Sequence, residues 1–376
     1  MVLAVIGKDT MENGLAIIGS HIDSPRLDLK PTPIYEDSEQ CLLDTHYYGG
    51  IKKYQWTATP LALHGIVVKK DGSKIRVCYG EKEEDAVLGI TDLLPHLDRE
   101  SRKDVVTGEE LNLLVGLTPD KSAKKEKVKA NILNIFKQQG IEEEDLFSSE
   151  IEVVPAGKAR DFGLDKSMVI GYGQDDKVCA YPSLMALLNQ KNPNRTCVCL
   201  LVDKEEIGSV GATGMESMFF ENTIADIINL KEEYSSIKLR HCLKNSKMLS
   251  SDVTAGFDPN RPAPYNKNTD AFLGRGIAFC KYTGSRGKSG ASDANPEFIA
   301  SLRNILDEQK IHYQATEMGK VEAGGGGTIA YIMAKYDMDV IDAGVPVLSM
   351  HAPWEITAKV DIYETYLCYN AFYKNI

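Results

Sequence analysis

The sequence predicts an α/β protein with a mainly parallel sheet that is covered by helices on both faces. From residue 168 onward, strand-like apolar runs alternate with helical patterns, and this alternation is typical of such a sheet. Between Pro25 and about Lys166 the sequence pattern instead predicts mainly β-strands. The length of 376 residues also suits about two domains rather than one.

The first strand of the main sheet is predicted at residues 15–19 (LAIIG), an apolar run that polar residues follow directly. Within the β-rich segment, residues 61–80 (LALHGIVVKKDGSKIRVCYG) predict a hairpin around a Lys-Asp-Gly turn. Residues 119–150 are charged and helical in pattern, and we interpret their lysine run as a solvated helix face or loop.

The later elements follow one another as a strand into a polar turn, a helix, a second strand into a polar turn, a strand that ends in a His, and a closing helix. They are predicted at residues 167–176 (SMVIGYGQDD), 178–190 (VCAYPSLMALLNQ), 196–208 (TCVCLLVDKEEIG), 340–353 (VIDAGVPVLSMHAP) and 361–376 (DIYETYLCYNAFYKNI). In parallel sheets of this kind, functional groups gather at the carboxyl ends of the strands. We therefore searched the polar residues that follow each predicted strand.

Composition excludes several classes of protein. With 43 Lys+Arg against 54 Asp+Glu, the formal charge is −11, which argues against a nucleic-acid binder and an electrostatic membrane anchor. No apolar run approaches the ~20 residues of a membrane span, and no export leader opens the sequence. The 8 dispersed Cys suit buried thiols in a reducing cytosol. We therefore expect a cytoplasmic protein.

Two candidate motifs follow predicted strands in the first half of the chain. His21 and Asp23 are two residues apart, so both side chains point to one side of a strand end. Asp175 and Asp176 lie in the polar turn that ends the segment 167–176; they can cap the next helix, or one carboxylate can bridge two metal ions. Each motif alone is a weak signal.

Three more candidates follow strands in the second half. Glu205 and Glu206 come directly after an apolar strand, where a surface loop is the competing interpretation. As a functional pair, one Glu would bind a metal and its neighbour would transfer a proton. Asp252 follows the run MLS, and His351 follows VPVL. Neither of these two is distinctive by itself.

The complete set is more informative than its members. His, Asp, paired Glu, Asp and His occur in that order, each near the predicted end of a strand. Two His, two terminal carboxylates, one bridging carboxylate and one free Glu are the right composition for a pair of Zn²⁺-like ions. Such a pair can hold one water and polarise a carbonyl.

The sequence resembles the M18 family of metallo-aminopeptidases, which contains aspartyl aminopeptidase and aminopeptidase I, and looks closest to the bacterial branch. The resemblance runs over nearly the whole chain, through SHIDSPRLDLKP, GYGQDDKVCAYPSL, VDKEEIGSVGATG, SSDVTAGFDPN, GGGGTIA and LSMHAPWEI. It implies a zinc-exopeptidase-like fold that hydrolyses the N-terminal residue of peptides. Members carry a stretch before the first strand that this sequence lacks.

The resemblance also implies a role for each candidate. Glu205 would be the general base, and Asp23 would orient the site behind His21. The metal ligands would be His21, Asp175 as the bridging residue, Glu206, Asp252 and His351. Two divalent ions per subunit are expected; Zn²⁺ is favoured, while Co²⁺ and Mn²⁺ also suit such N and O ligands.

In this family a dimerisation domain is inserted between the first ligand and the bridging Asp. By the resemblance, residues 27–163 would be that domain, and residues 1–26 and 164–376 the catalytic domain. A His of the inserted domain reaches the neighbouring subunit's active site in related enzymes, and His96 is the matching candidate; a solvent or interface His is the alternative. Homo-oligomers, dimers that assemble into a dodecamer, are implied.

Side-chain preference stays open between acidic and neutral N-terminal residues. An acidic preference needs a cation, which Lys288 or Lys281 would supply unless each has only a surface role. The four Gly at 324–327, Gly326 among them, and Thr328 would line the pocket through backbone donors. Otherwise they form a tight turn with close backbone approach or positive φ.

Three other functions compete with the aminopeptidase. A deacylase or carboxypeptidase-type hydrolase uses the same two-metal plan, and a carboxypeptidase would need an Arg fork such as Arg275 or Arg286. A non-catalytic shell protein would have no use for a free base beside a ligand. A phosphoesterase is disfavoured because no Gly-rich phosphate cradle precedes a Lys and Ser/Thr.

Overall fold

The computed structural model describes residues 1–94, 96–97 and 106–376, and the chain divides into two compact units. Unit 1 contains Met1–Ser24, Arg160–Met350 and Glu355–Ile376, and unit 2 contains Pro25–Ala159 and His351–Trp354. The observed boundaries are therefore 24/25 and 159/160, and the predicted ones, 26/27 and 163/164, lie two and four residues C-terminal of them. The sequence did not predict that His351–Trp354 would group with unit 2.

Among the described residues, none of the helices combines the length and the apolar character that crossing a membrane requires.

The elements are numbered here in chain order. The strands are β1 (Val2–Val5), β2 (Ala16–His21), β3 (Arg26–Asp37), β4 (Gln40–Tyr48), β5 (Leu61–Val68), β6 (Lys74–Tyr79), β7 (Leu113–Gly116), β8 (Ser149–Pro155), β9 (Arg160–Phe162), β10 (Met168–Gly171), β11 (Cys197–Val202), β12 (Lys247–Ser250), β13 (Thr254–Ala255), β14 (Ile277–Cys280), β15 (Tyr313–Thr316), β16 (Asp339–Gly344), β17 (Pro346–Leu348) and β18 (Glu355–Ala358). The helices are α1 (Lys127–Gln138), α2 (Gln174–Leu188), α3 (Phe219–Lys231), α4 (Ser236–Lys244), α5 (Pro296–Gln309), α6 (Ala330–Ala334) and α7 (Lys359–Asn375).

A seven-stranded sheet forms the centre of unit 1, in the order β1-β11-β2-β12-β16-β14-β15. The pairs β11–β2, β2–β12, β12–β16 and β14–β15 are parallel. At the two sides, β1 runs antiparallel to β11, and β14 runs antiparallel to β16. The α/β class is confirmed, and β2 lies in the middle of the parallel part.

Helices pack on both faces of this sheet. On β2, Ala16 and Ile18 point toward the apolar cluster that α2, α5 and α7 cover, and Ile17 points toward the cluster that α3, α4 and α6 cover. All three side chains are fully buried. Because both faces of β2 need apolar side chains, its sequence is a continuous apolar run rather than an alternating one.

Two predicted strands of the main sheet lie elsewhere. The strand at 167–176 and the last part of 340–353 form β10 and β17, which belong to a second, five-stranded sheet of unit 1 in the order β13-β17-β18-β10-β9. The predicted single strand at 340–353 is in fact two strands, because β16 ends at Gly344 and β17 begins at Pro346. A Cβ at Gly344 would lie 1.9 Å from the backbone O of Asp252, so the absence of a side chain permits this close packing.

Unit 2 is built on a six-stranded antiparallel sheet in the order β6-β5-β8-β3-β4-β7. The predicted hairpin at 61–80 is confirmed, since β5 pairs with β6 in antiparallel register. Of the helical pattern at 119–150, only α1 and a short 3-10 helix at Glu143–Ser148 are helical. The lysine run lies mostly before α1 and is largely exposed.

The first prediction concerns the core around β2. Ile18→Ala should destabilise the protein by about 2–5 kcal/mol, because it removes a fully buried side chain from the apolar cluster on one covered face of the sheet. Urea unfolding followed by circular dichroism measures the loss. Leu164→Ala is the matched control, since Leu164 is fully exposed and its truncation should change stability by no more than about 0.5 kcal/mol. Equal losses in the two variants would contradict this account of the core.

Candidate metal site

Three parallel strands bring their polar C-terminal residues to one edge of the main sheet. In the register, His21 at the end of β2 lies opposite Val202 of β11, and Gly19 lies opposite Ser250 of β12. The residues that follow β11 and β12, which include Glu205 and Asp252, therefore leave the sheet at the same edge as His21. This edge is where the sequence predicted the functional groups.

The His21 imidazole lies at the centre of this edge, and carboxylates approach both of its nitrogens. Its Nε2 lies 3.1 Å from Asp175 Oδ1 and 3.9 Å from Asp252 Oδ1. Its Nδ1 lies 3.2 Å from Asp23 Oδ1. His21, Asp23 and Asp175 are buried, and the Asp252 side chain is mostly buried. The ring is thus held at Nδ1 by a neighbour two residues away, while Nε2 faces residues from other elements.

Asp23 holds the loop that follows β11 as well as the imidazole. The backbone N–H groups of Glu205 and Glu206 each donate a hydrogen bond to the Asp23 carboxylate, over 3.2 Å. These two Glu residues begin a short 3-10 turn, Glu205–Ile207, and are half-buried. A plain surface loop, the competing interpretation of the sequence, does not fit this arrangement.

Asp175 reaches the site from the start of α2, where its backbone angles are not helical. Its N–H donates to Glu355 Oε2 over 3.0 Å, and its carbonyl accepts a hydrogen bond from the Ser24 hydroxyl over 2.8 Å. Gly173 precedes the helix with φ +68, and a Cβ there would lie 2.9 Å from Ser24 Oγ. The backbone at Asp175 is therefore fixed from both sides.

Sequence reasoning missed Ser24 and Glu355, although both lie inside the motifs that carried the family resemblance. Ser24 comes three residues after His21, and Glu355 comes four residues after His351. Their spacing to a candidate ligand was the available signal. Their function is to hold Asp175, and that contact depends on tertiary structure.

The site concentrates negative charge in a buried volume. Burial raises the pKa of Asp176 and of Asp252 well above the usual value, and neighbouring carboxylates add to the effect. Burial alone would lower the pKa of His21, but hydrogen bonds to Asp175 and Asp23 outweigh it and raise this pKa well above its usual value. Carboxylates that retain protons in this way lack enough nearby positive charge to compensate their negative charge.

The available ligand atoms fit divalent metal ions. His21, Asp175, Asp176 and Asp252 offer nitrogen and oxygen atoms that all lie within 4.8 Å of one another, and His21, Glu205 and Glu206 form a second such group. Imidazole nitrogen and carboxylate oxygen are ligands of Zn²⁺ and of similar ions. Positive charge bound here would also compensate the buried carboxylates.

His351 belongs to the short segment that groups with unit 2. Its Nδ1 lies 2.9 Å from the carbonyl oxygen of Gly50. Because a carbonyl can only accept, Nδ1 carries the proton in this contact, which assigns the lone pair of the neutral ring to Nε2. In neutral His351, Nε2 is therefore the ring atom that can bind a metal.

The remaining predicted site residues lie outside this cluster. His96, in unit 2, is exposed. Lys288 Nζ pairs with Asp293 Oδ2 over 2.9 Å and lies 3.8 Å from the Tyr282 ring centroid. Lys281 pairs with the same carboxylate over 2.7 Å. The catalytic role of His96 and the substrate-binding role of Lys288 stay predictions.

Gly324–Gly327 do not behave as one uniform loop. A Cβ at Gly324 would lie 1.6 Å from the Met318 carbonyl oxygen, and one at Gly325, where φ is +102, would lie 1.9 Å from that of Gly284. The expected close backbone approach is therefore confirmed at these two positions. Gly326 and Gly327 have open space or only an ordinary van der Waals contact beside Cα. A substrate contact at Gly326 stays a prediction.

A buried carboxyl group lies in the strands behind the metal-binding edge. Asp342 on β16 is buried, and burial raises the pKa of its carboxyl group to about 6, while the nearby hydroxyls of Ser250 and Thr328 act in the opposite direction. Thr328, for which a substrate contact is predicted, therefore lies near this buried carboxyl group at the end of the Gly-rich loop. Sequence reasoning did not identify Asp342.

Comparison with known proteins identifies relatives over the full length of the chain. The model of the family described as aminopeptidase I zinc metalloprotease (M18) matches residues 1–373. A probable M18 family aminopeptidase 1 of Clostridium acetobutylicum is 57% identical over 381 residues, which cover 100% of this chain and 82% of the relative.

Two solved structures have the same fold. The crystal structure of an M18 aminopeptidase from Thermotoga maritima matches with a TM-score of 0.96 and 42% identity, covering 100% of this chain and 86% of the other. That of aminopeptidase I from Clostridium acetobutylicum matches with a TM-score of 0.94 and 55% identity, covering 100% and 82%.

The second prediction concerns the pH dependence that Asp342 causes. The folded protein keeps the Asp342 proton up to about pH 6, whereas the unfolded chain loses it near 3.8. Stability is therefore lost as the pH rises from 4 to 7, by roughly 3 kcal/mol for this group. Asp342→Asn should become more stable relative to wild type over that range, as measured by urea unfolding in a chelator. Asp226→Asn, on the exposed side of α3, is the control and should show no such trend. A parallel pH dependence in wild type and Asp342→Asn would contradict the assignment.

Proposed function

The chain belongs to the M18 family of zinc metallo-aminopeptidases, and from this premise we propose that it cleaves the first peptide bond with two divalent metal ions and with Glu205 as general base. The observation that carries this proposal is the group of ligand atoms around His21, which includes Asp175 and Asp252 and lies at the carboxyl edge of a parallel sheet. Zn²⁺ is the metal that the family description names.

Five side chains are proposed as ligands, and Asp175 would bridge the two ions. They are His21, Asp175, Glu206, Asp252 and His351. The fixed backbone at Asp175 supports a bridging role, since a carboxylate shared by two ions must hold one orientation. For His351, the hydrogen bond from Nδ1 supports a ligand role of Nε2, and the residues on both sides of its short segment, Met350 and Glu355, belong to unit 1.

The chemistry divides between the ions and the protein. When bound, the two ions polarise the first peptide carbonyl and lower the pKa of water. Glu205 takes a proton from the attacking water and returns it to the departing amine. Asp23 accepts the Nδ1 hydrogen of His21 and keeps Nε2 directed at the ions. Through the N–H of Glu205, the same carboxylate fixes the backbone of the base.

No specific observation favours the competing hydrolases. Of the two arginines that could bind a substrate carboxylate, Arg275 stacks on the Phe272 ring at 4.3 Å, and Arg286 lies exposed in the loop after β14. We propose a cytoplasmic location on the cysteine content, since all 8 Cys are unpaired thiols and 7 of them are buried.

The third prediction tests the base. Glu205→Gln should lower kcat on an aminoacyl-nitroanilide by about 10²–10⁴-fold, because an amide cannot accept the proton of water. Metal content, measured by atomic emission, should stay near that of wild type. Glu206→Gln is the matched comparison, and it should lose bound metal together with activity. Wild-type turnover in Glu205→Gln would overturn the assignment of the base.

We propose that the protein forms homo-oligomers, dimers that assemble into a dodecamer, and that His96 of one subunit serves the active site of its neighbour. The family resemblance supports this, and the exposure of His96 is compatible with contact to another chain. Such sharing makes each site depend on two subunits.

The fourth prediction follows from that sharing. His96→Ala should lower kcat about 10²-fold, the typical effect of losing one transition-state hydrogen-bond donor. Mixing this variant with inactive Glu205→Gln under conditions of subunit exchange should restore about a quarter of wild-type activity, because half of the dimers are hybrids with one intact site. Exchange is checked with labelled subunits. Full exchange without recovered activity would show that His96 acts in its own subunit or not at all.

A further inference from the structure

We propose that a buried chain of four hydroxyl groups positions the strand ends that carry His21 and Asp252. The four belong to Ser20, Ser183, Ser251 and Tyr369. The proposal rests on the metal-ligand roles assigned above to His21 and Asp252. It adds positioning residues that touch neither metal nor substrate.

The first observation is a change of side-chain chemistry along two neighbouring strands. On the face of the main sheet that α2, α5 and α7 cover, β2 presents Ala16 and Ile18, and then Ser20. On the same face, β12 presents Leu249, and Ser251 follows two residues later. In both strands the apolar face ends in a buried serine directly before the proposed ligand.

The second observation is a continuous line of short contacts between these hydroxyls. Ser20 Oγ lies 3.2 Å from Ser183 Oγ, and Ser183 Oγ lies 3.1 Å from Ser251 Oγ. Ser251 Oγ lies 2.6 Å from the Tyr369 hydroxyl, which donates to the carbonyl of Ala343 over 2.6 Å. All four hydroxyl-bearing residues are at most 1% exposed.

Each hydroxyl has only one hydrogen to donate, and this fixes the donor-to-acceptor direction along the chain of hydroxyl groups. The Ala343 carbonyl can only accept a hydrogen bond, so the Tyr369 hydroxyl donates its one hydrogen there. It must therefore accept a hydrogen bond from Ser251. Ser251 then has no proton left for Ser183, which must be the donor in that contact or donate instead to the Cys179 carbonyl, 2.8 Å away. Ser20 in turn donates to Ser183. In the fully connected state Ser20 donates, and the hydroxyls of Ser183, Ser251 and Tyr369 each both accept and donate. Such bonds strengthen one another.

The elements that the chain joins explain what it positions. Ser20 precedes His21, Ser251 precedes Asp252, and Ser183 lies on α2, the helix that begins at the Asp175 turn. Tyr369 lies on α7 and connects these three elements to β16. Hydroxyls buried without partners are costly, so strand ends and helix are held where every partner is within reach. These contacts between the hydroxyls therefore set the spacing between the proposed ligands His21 and Asp252.

The fifth prediction compares two tyrosines of α7. Tyr369→Phe keeps the ring and removes the hydroxyl on which the chain ends. Tyr373→Phe is the matched control: Tyr373 is also buried, lies one helical turn later and donates to the Val198 carbonyl over 2.8 Å, near the start of β11. Zn²⁺ is titrated into each full-length, metal-free variant against a chromophoric chelator.

Tyr369→Phe should weaken Zn²⁺ binding about 10-fold, the lower end of the effect of losing a residue that supports a ligand. Tyr373→Phe should bind Zn²⁺ within twofold of wild type. The Tm of both metal-free proteins should fall, since each variant loses a buried hydroxyl group together with its hydrogen bonds. Equal Zn²⁺ affinity in the two variants would mean that the hydroxyl at 369 is only structural, and would overturn the proposal.

Ser183→Ala tests whether the hydroxyls act as one chain. This variant should also weaken Zn²⁺ binding about 10-fold, and the double variant with Tyr369→Phe should be no more than about twofold weaker than either single variant. A double effect equal to the product of the two single effects would overturn the idea of one connected unit.

His21→Ala separates the failure of this proposal from the failure of the proposed function. If His21→Ala binds Zn²⁺ as wild type does, the ligand assignment itself is wrong. If His21→Ala loses Zn²⁺ while Tyr369→Phe matches its control, only the positioning proposal fails.

Discussion

Buried negative charge at the carboxyl edge of one sheet is the constraint on which the rest of this structure depends. Asp23, Asp175, Asp176 and Asp252 surround a single imidazole, and each buried ion costs several kcal/mol of solvation that one imidazolium cannot compensate. The carboxylates must be kept close together in spite of their repulsion. The hydrogen bonds from Ser24 to Asp175 and from Glu205 and Glu206 to Asp23 serve this purpose.

Metal binding and folding are therefore coupled in this protein. Without cations the cluster keeps protons, as the raised pKa values of Asp176 and Asp252 indicate, and ligand groups must release protons before they bind a metal. The polar residues below the proposed ligands extend this coupling into the sheet. On one face Ser20 and Ser251 replace apolar side chains, and on the other the buried Asp342 carboxyl group lies near the hydroxyls of Ser250 and Thr328.

Much of the site was predictable because its residues follow apolar runs. His21, Glu205 and Asp252 come shortly after β2, β11 and β12, and the parallel register alone brings them to one edge. Ser24, Glu355 and Tyr369 could not be found in this way, because their partners lie 151, 180 and 118 residues away in the chain. The transfer of β17 to a second sheet was missed for a related reason: the single residue between β16 and β17 gives no composition signal.

The discontinuity of unit 1 has a consequence for biosynthesis. The apolar strand β2 lies near the N-terminus, but both of its neighbours in the sheet, β11 and β12, begin only at Cys197 and Lys247. At translation rates of about 5–20 residues per second, a nascent β2 waits on the order of 10 s or more for its first partner to leave the ribosome. During that time the all-antiparallel sheet of unit 2 has been synthesised completely, while the apolar β2 still lacks both of its neighbours in the sheet.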